Sequence, residues 1–273
     1  MIGVFDSGLG GLSVLAALVD TLPHTDFIYF ADTAHVPYGN KSDAEIQARV
    51  LAIGEHLADV GCKLLVVACN TATATAVEAL RQAHPNIPVV GVEPGIKPAA
   101  QTSISRRIAV LTTEATARSA RLAQLIRHNA AEVEVFIEPC PGWATHVEQL
   151  QLDDPALIKD IRHHVLPLLE KGVDRLVLGC THYSFLVPAL QKIVADKAVL
   201  IDVADAVARQ TKRLMSALGE TPATEIAKPG TAQQHATGLG RLYLKSSSHP
   251  EQIIQALPKL SLQYLIPRLI PND

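Results

Sequence analysis

Aromatic residues make up only 4% of the 273 positions, too few for the stacked-ring platforms that hold single-stranded nucleic acid. Basic runs are missing as well. The 24 Lys and Arg stand against 27 Asp and Glu, a net charge of −3, so no electrostatic footprint for a phosphate backbone exists. No apolar stretch approaches the roughly 18–20 residues that cross a bilayer. The four cysteines, Cys62, Cys69, Cys140 and Cys180, include no C-x-x-C pair, which removes the zinc-knuckle and thioredoxin-type readings. The opening MIGVFDSG enters a strand-like run without a basic n-region, so no secretory leader is expected. A chain of this size does not depend on disulfide staples, and the expected setting is a reducing cytoplasm with all four cysteines as thiols.

What is present is an ordinary globular composition, 48% hydrophobic and 19% charged. Short apolar runs at 2–5, 26–30, 64–68, 88–92, 108–111, 132–137, 176–178 and 198–201 alternate with longer segments of helical spacing, such as 43–60, 116–128 and 155–171. Near-continuously apolar strands, each followed by a helix, predict a parallel α/β architecture with helices on both faces of the sheet.

An internal repeat sharpens this. ADVGCKLLVVACNT (58–71) aligns with LEKGVDRLVLGCTH (169–182), placing Gly61 on Gly172, Val66 on Val177 and Cys69 on Cys180 at a constant offset of 111 residues. IGVFDSG and FIYFAD find weaker counterparts in IAVLTTE and VEVFIE at an offset of 106. Two similar parallel-sheet lobes follow, 1–97 and 98–206, related by an approximate two-fold, with a cleft between them. The tail, 207–273, opens with a helix-like segment, passes through a Pro/Thr/Gln-rich connector and ends in PEQIIQALPKL. It is expected to be helical and to pack back on the first lobe, since a free amphipathic tail exposes Ile253, Ile254 and Leu257.

A buried cysteine taken alone implies no function. Two at equivalent strand ends, each followed by small polar helix starters (Asn70–Thr71 and Thr181–His182), are a different matter. Ligands of open parallel sheets bind outside the carboxyl ends of the strands. The free N–H groups of a helix start bind carboxylates and lower a nearby thiol's pKa from its reference of about 8.5. Facing lobes then place two thiols on opposite sides of one anion-binding cleft. Removing a proton from one face of a carbon and delivering one to the other inverts a stereocentre. The enolate-like charge that develops calls for preorganised donors, and the asparagine and threonines behind the cysteines are of the right type.

FDSGLGG (5–11) follows the first strand, so Asp6 and Ser7 point at the same cleft. Its glycines suggest a dinucleotide loop, but G-x-G-x-x-G fails at Ser13. ADTAHVPYGNKS (31–42) is a polar loop after the second strand, and its Pro37-Tyr38-Gly39 fits a simple turn as well as a site. His182 fits a core histidine, half of a C-x-H metal site, or a proton relay. A metal would consume the thiolate, which favours the relay. Glu148 and Asp6 fit solvated carboxylates except in company with the cysteines.

FDSGLGGLSVL, YFADTAHVPYG, ACNTATATA, EPGIKPAA, CPGWATHVEQ and LGCTHYSFL together resemble, over residues 2–210, the bacterial glutamate racemases of the cofactor-independent aspartate/glutamate racemase superfamily. That resemblance implies a two-lobed fold with the site between lobes, and interconversion of L- and D-glutamate by two bases without metal or other cofactor. It implies that Cys69 deprotonates the D-isomer with help from Asp6, and Cys180 the L-isomer with help from His182 and Glu148. It places substrate contacts on Asp6, Ser7, Pro37, Tyr38, Gly39, Asn70, Thr71, Thr113, Thr116, Thr181 and His182. It also implies D-glutamate supply for peptidoglycan, and a homodimer. The alternatives are a racemase of aspartate or another amino acid in the same superfamily, a single-thiol decarboxylase of related fold, and a binding protein on a decayed scaffold.

Overall fold

The computed structural model describes residues 1–219 and 238–271; most of the expected connector, 220–237, lies outside them. The first lobe runs β1 (Ile2–Asp6), α1 (Leu12–Thr21), β2 (Phe27–Ala31), α2 (Asp43–Asp59), β3 (Leu64–Val67), α3 (Asn70–Ala83) and β4 (Val89–Gly91). After α4 (Ile96–Thr102) the second runs β5 (Arg107–Thr112), α5 (Glu114–Ala117), α6 (Ala120–Asn129), β6 (Glu134–Pro139), α7 (Trp143–Glu148), α8 (Pro155–Glu170), β7 (Arg175–Leu178), α9 (Val187–Val194) and β8 (Val199–Ile201). The tail carries α10 (Ala204–Ala217), β9 (Leu242–Ser246) and α11 (Pro250–Lys259). Among the described residues no helix is long and apolar enough to cross a membrane.

Two parallel sheets result, β4-β3-β1-β2-β9 and β8-β7-β5-β6. Counted from its own first strand, each half follows the order 4-3-1-2, so the repeat in the letters is also a repeat of topology. Its glycines have a physical reason. Gly61 (φ 85°) and Gly172 (φ 81°) directly follow the caps of α2 and α8 and turn the chain into β3 and β7. Both occupy the left-handed region, where a Cβ is penalised.

The strands feed two cores each, because alternate side chains point to opposite faces. Ile2, Val4, Leu64 and Val66 enter one core of the first lobe, while Phe5, Leu65 and Val67 enter the other. In the second lobe Ala109, Leu111, Leu176 and Leu178 face one side, and Ile108, Val110 and Val177 the other. Helices on both faces explain why these strands read as unbroken apolar runs.

Two elements differ from expectation. The segment 116–128 is not one helix: Thr113 caps α5 by accepting from the Thr116 amide (3.2 Å), and Ser119 caps α6 by accepting from the Leu122 amide (3.1 Å). Side-chain caps of this kind start a new helix where the apolar period alone suggests continuity. The tail also contains β9, which pairs in parallel with β2, Leu242 opposite Phe27. Leu242 and Leu244 join the first lobe's core together with Val207, Ala208 and Met215 of α10 and Ile253, Ala256 and Leu257 of α11.

Candidate active site

Cys69 and Cys180 occupy equivalent places with nearly equal backbone angles, φ −134°, ψ 120° and φ −147°, ψ 132°. Each is the last extended residue before a helical start, α3 after Cys69 and the 3-10 segment Thr181–Leu186 after Cys180. Their carbonyls accept the Thr73 and Tyr183 amides at 2.8 and 3.0 Å. Both are nearly buried, 6% and 7% exposed, and Cys180 is near enough for its charge to bear on Cys69. The loop after β1 links the two: its Ser7 hydroxyl meets the Cys69 sulfur, and its Leu9 amide meets Glu148 behind the Cys180–His182 pair.

Their surroundings are unequal. The Cys69 sulfur lies 3.8 Å from the Ser7 hydroxyl. Burial pushes this thiol well above its ordinary range, and the nearby Asp6 adds to the effect. Asp6 Oδ2 accepts the Gly8 and Gly11 amides at 3.1 and 2.9 Å, while its buried Oδ1 has no hydrogen-bond partner. Burial raises the Asp6 pKa, against the pull of His182 and the two amides.

On the other side, His182 Nδ1 is 3.6 Å from the Cys180 sulfur and its Nε2 is 2.5 Å from Glu148 Oε1. Burial opposes charge on this ring, but the Cys180 sulfur and the Glu148 carboxylate outweigh it and hold His182 well above the usual imidazole range. His182 is therefore an imidazolium held between the Cys180 sulfur and the Glu148 carboxylate. Since the folded pKa is raised, the pairing contributes stability fully below pH ~6.5 and loses it as pH rises through the folded value. Ring-proton NMR should show His182 still charged when exposed histidines are neutral. In Glu148→Gln its titration should move downward; an unmoved titration would contradict the geometry.

The sequence-predicted contacts fall around these two arms. Thr71 of the first lobe lies 3.1 Å from Thr113 and 3.3 Å from Thr116 of the second, hydroxyl to hydroxyl. Asn70 is buried with its side-chain Nδ2 unpartnered. The Thr181 carbonyl accepts from the Ser13 hydroxyl across the lobes at 3.3 Å. Around Pro37-Tyr38-Gly39 the chain approaches the second lobe, where a Cβ on Gly39 would meet Thr113 Cβ at 3.2 Å. Tyr38 is buried in the same cluster as Cys69, but its hydroxyl is committed: it donates to Asp32 Oδ2 at 2.6 Å.

Sequence reasoning missed Asp32 and Arg49. The guanidinium binds the fully buried Asp32 through two bonds of 2.9 and 2.8 Å. Despite desolvation, Arg49 and Tyr38 hold this carboxyl below its ordinary range. A lone Arg on an amphipathic helix carries no signal in the letters, because only the fold brings it under the loop. Tyr29 was missed for the same reason; its hydroxyl donates to the Gly8 carbonyl at 2.6 Å. Cys62 and Cys140 stand apart as core thiols, Cys62 pushed up by burial to about 11 and Cys140 donating to the Glu138 carbonyl at 3.4 Å.

Comparison with known proteins bears on the family and the fold. Residues 2–211 match the family model for Asp/Glu/hydantoin racemases. A glutamate racemase of Ectopseudomonas mendocina is 48% identical over 214 residues, 78% of this chain and 81% of that protein. The crystal structure of a glutamate racemase isoform from Bacillus anthracis superposes with a TM-score of 0.84 at 28% identity, covering 100% of this chain and 97% of that one. A Francisella tularensis glutamate racemase in complex with D-glutamate gives 0.80 at 27% identity, again over 100% and 97%.

Proposed function

The chain belongs to the Asp/Glu/hydantoin racemase family, and we propose that it is a glutamate racemase in which Cys180 and Cys69 exchange protons with opposite faces of the substrate Cα. One observation carries the reading: the two halves of a repeat hold equivalent thiols, both buried and each at a helical start.

Starting from L-glutamate, the Cys180 thiolate takes the Cα proton and becomes a thiol. The electron pair left on Cα spreads into the α-carboxylate. The Cys69 thiol, held protonated by burial and Asp6, then delivers its proton from the other side and is left as thiolate. D-Glutamate reacts in reverse. His182 and Glu148 neutralise charge on Cys180 as its proton comes and goes; beside Cys69, the Ser7 hydroxyl meets the sulfur while Asp6 favours its protonated form. The helix-start amides after each cysteine, the Asn70 amide and the threonine hydroxyls are the donors for substrate carboxylates and for the enolate-like charge. The chemistry is completed by side chains of this chain, in the cytoplasm, and its D-glutamate product serves peptidoglycan synthesis.

Loss of optical activity from pure L-glutamate, followed by circular dichroism with no added cofactor, tests the assignment. Dialysis against EDTA and treatment with hydroxylamine should leave the rate unchanged. Activity that disappears and returns only with pyridoxal phosphate or a divalent ion would overturn the two-thiol scheme.

A further inference from the structure

Three glycines stand in FDSGLGG, and their spacing does not fit a dinucleotide loop. The structure gives Gly8 and Gly10 another purpose. Neither has the positive φ that favours glycine, so their backbone is one that alanine also adopts. What they lack is room. A Cβ on Gly8 would lie 2.1 Å from Glu148 Oε1, and one on Gly10 would lie 2.4 Å from His182 Nδ1 and 2.7 Å from Thr181 Oγ1. All three neighbours belong to the second lobe. The missing side chains let the first-lobe loop sit directly against the Cys180 arm.

The contact thus permitted has a specific partner. Glu148 Oε1 accepts the Leu9 backbone amide at 2.7 Å and faces His182 Nε2 at 2.5 Å. One oxygen therefore joins the first lobe to the charged end of the second lobe's relay. The Asp6 carboxylate and the Tyr29 hydroxyl fix the same loop from beneath, through the Gly8 and Gly11 amides and the Gly8 carbonyl.

We propose that Gly8 and Gly10 are positioning residues for the Cys180 arm: by letting the Leu9 amide reach Glu148, they make docking of the first lobe hold the His182 imidazolium beside Cys180. The proposal rests on the racemase reading and adds to it that the two half-reactions depend unequally on this loop. A Cβ at position 8 displaces the Glu148 carboxylate by about an ångström, and misplacement of that size in a relay costs on the order of 10–100-fold in rate.

Gly8→Ala tests this through primary isotope effects on kcat/KM. Slowing proton transfer at Cys180 makes that step more nearly rate-limiting in both directions. The effect with 2-deuterated L-glutamate should rise toward its intrinsic value, and that with 2-deuterated D-glutamate should fall toward unity. A general loosening of the fold predicts no such divergence, and equal changes in the two would overturn the proposal. Glu148→Asp supplies the rescue, because its carboxylate is shorter by one methylene and makes room for the new Cβ. Adding Gly8→Ala to Glu148→Asp should cost little further rate, whereas losses that multiply would count against it. His182 NMR needs no turnover: its titration should move downward in Gly8→Ala, and an unshifted titration refutes the contact whatever the substrate proves to be. A wild-type protein inert toward glutamate would instead overturn the racemase reading. If Gly8→Ala does not fold, Gly10→Ala answers the same isotope question through His182 Nδ1.

Discussion

Cys180→Ala is expected to lose racemisation in both directions, by about 10³-fold or more, the scale of a deleted acid–base group. The loss must be bidirectional, because each direction uses both thiols, one as base and the other as acid. Cys69→Ala should behave in the same way. The mutants differ in what survives. In Cys180→Ala, Cys69 still faces the α-proton of D-glutamate and returns it only to the same side, so residual exchange in D₂O should favour D-glutamate. Cys69→Ala should favour L-glutamate. A single mutant of either kind that racemises near the wild-type rate would show that one thiol suffices.

The second large effect concerns substrate length. Aspartate should be turned over at least about 10²-fold less efficiently than glutamate in kcat/KM. On the proposed reading, the donors for the distal carboxylate come from buried Asn70, Thr71 and Thr116 and half-buried Thr113, whose hydroxyls from the two lobes lie within 3.3 Å of one another. A chain shorter by one methylene cannot reach both ends of the site. An unpaired buried polar site discriminates by far more than the roughly 1–3 kcal/mol of a lost methylene contact. Comparable rates with both amino acids, measured by circular dichroism, would return the chain to the broader reading of an acidic amino-acid racemase.

How much of this was legible in the letters depends on how local the signal was. The inner strands of the repeat, such as β1, β3 and β7, were readable because burial on both faces gives them unbroken apolar runs, whereas the edge strands β6 and β8 are only partly buried. The cysteines were readable because each sits where strand meets helix, a boundary marked by Asn70–Thr71 and Thr181–His182. β9 was not, because a five-residue edge strand, LYLKS, has too few residues to separate a period of two from a helical period. The split between α5 and α6 turns on Ser119 acting as a cap. Asp32 and Arg49 meet 17 residues apart in sequence, and Glu148 meets Leu9 across 139. No spacing rule reaches that far. Gly8 and Gly10 of FDSGLGG show the converse failure: the motif was visible, but their cause, the approach of Glu148 and His182, lies in the other half of the chain.

Early-time ¹H NMR of wild-type protein with pure L-glutamate in D₂O tests the two-base claim most directly. The Cα proton removed by Cys180 stays on that face, and the inverted product takes its hydrogen from Cys69, already exchanged with solvent. Newly formed D-glutamate should therefore carry deuterium at Cα while the remaining L-glutamate keeps protium, and the pattern should mirror itself when the reaction starts from D-glutamate. Substantial protium in the first D-glutamate formed would mean that a single group carries the proton across both faces, and the account would be wrong.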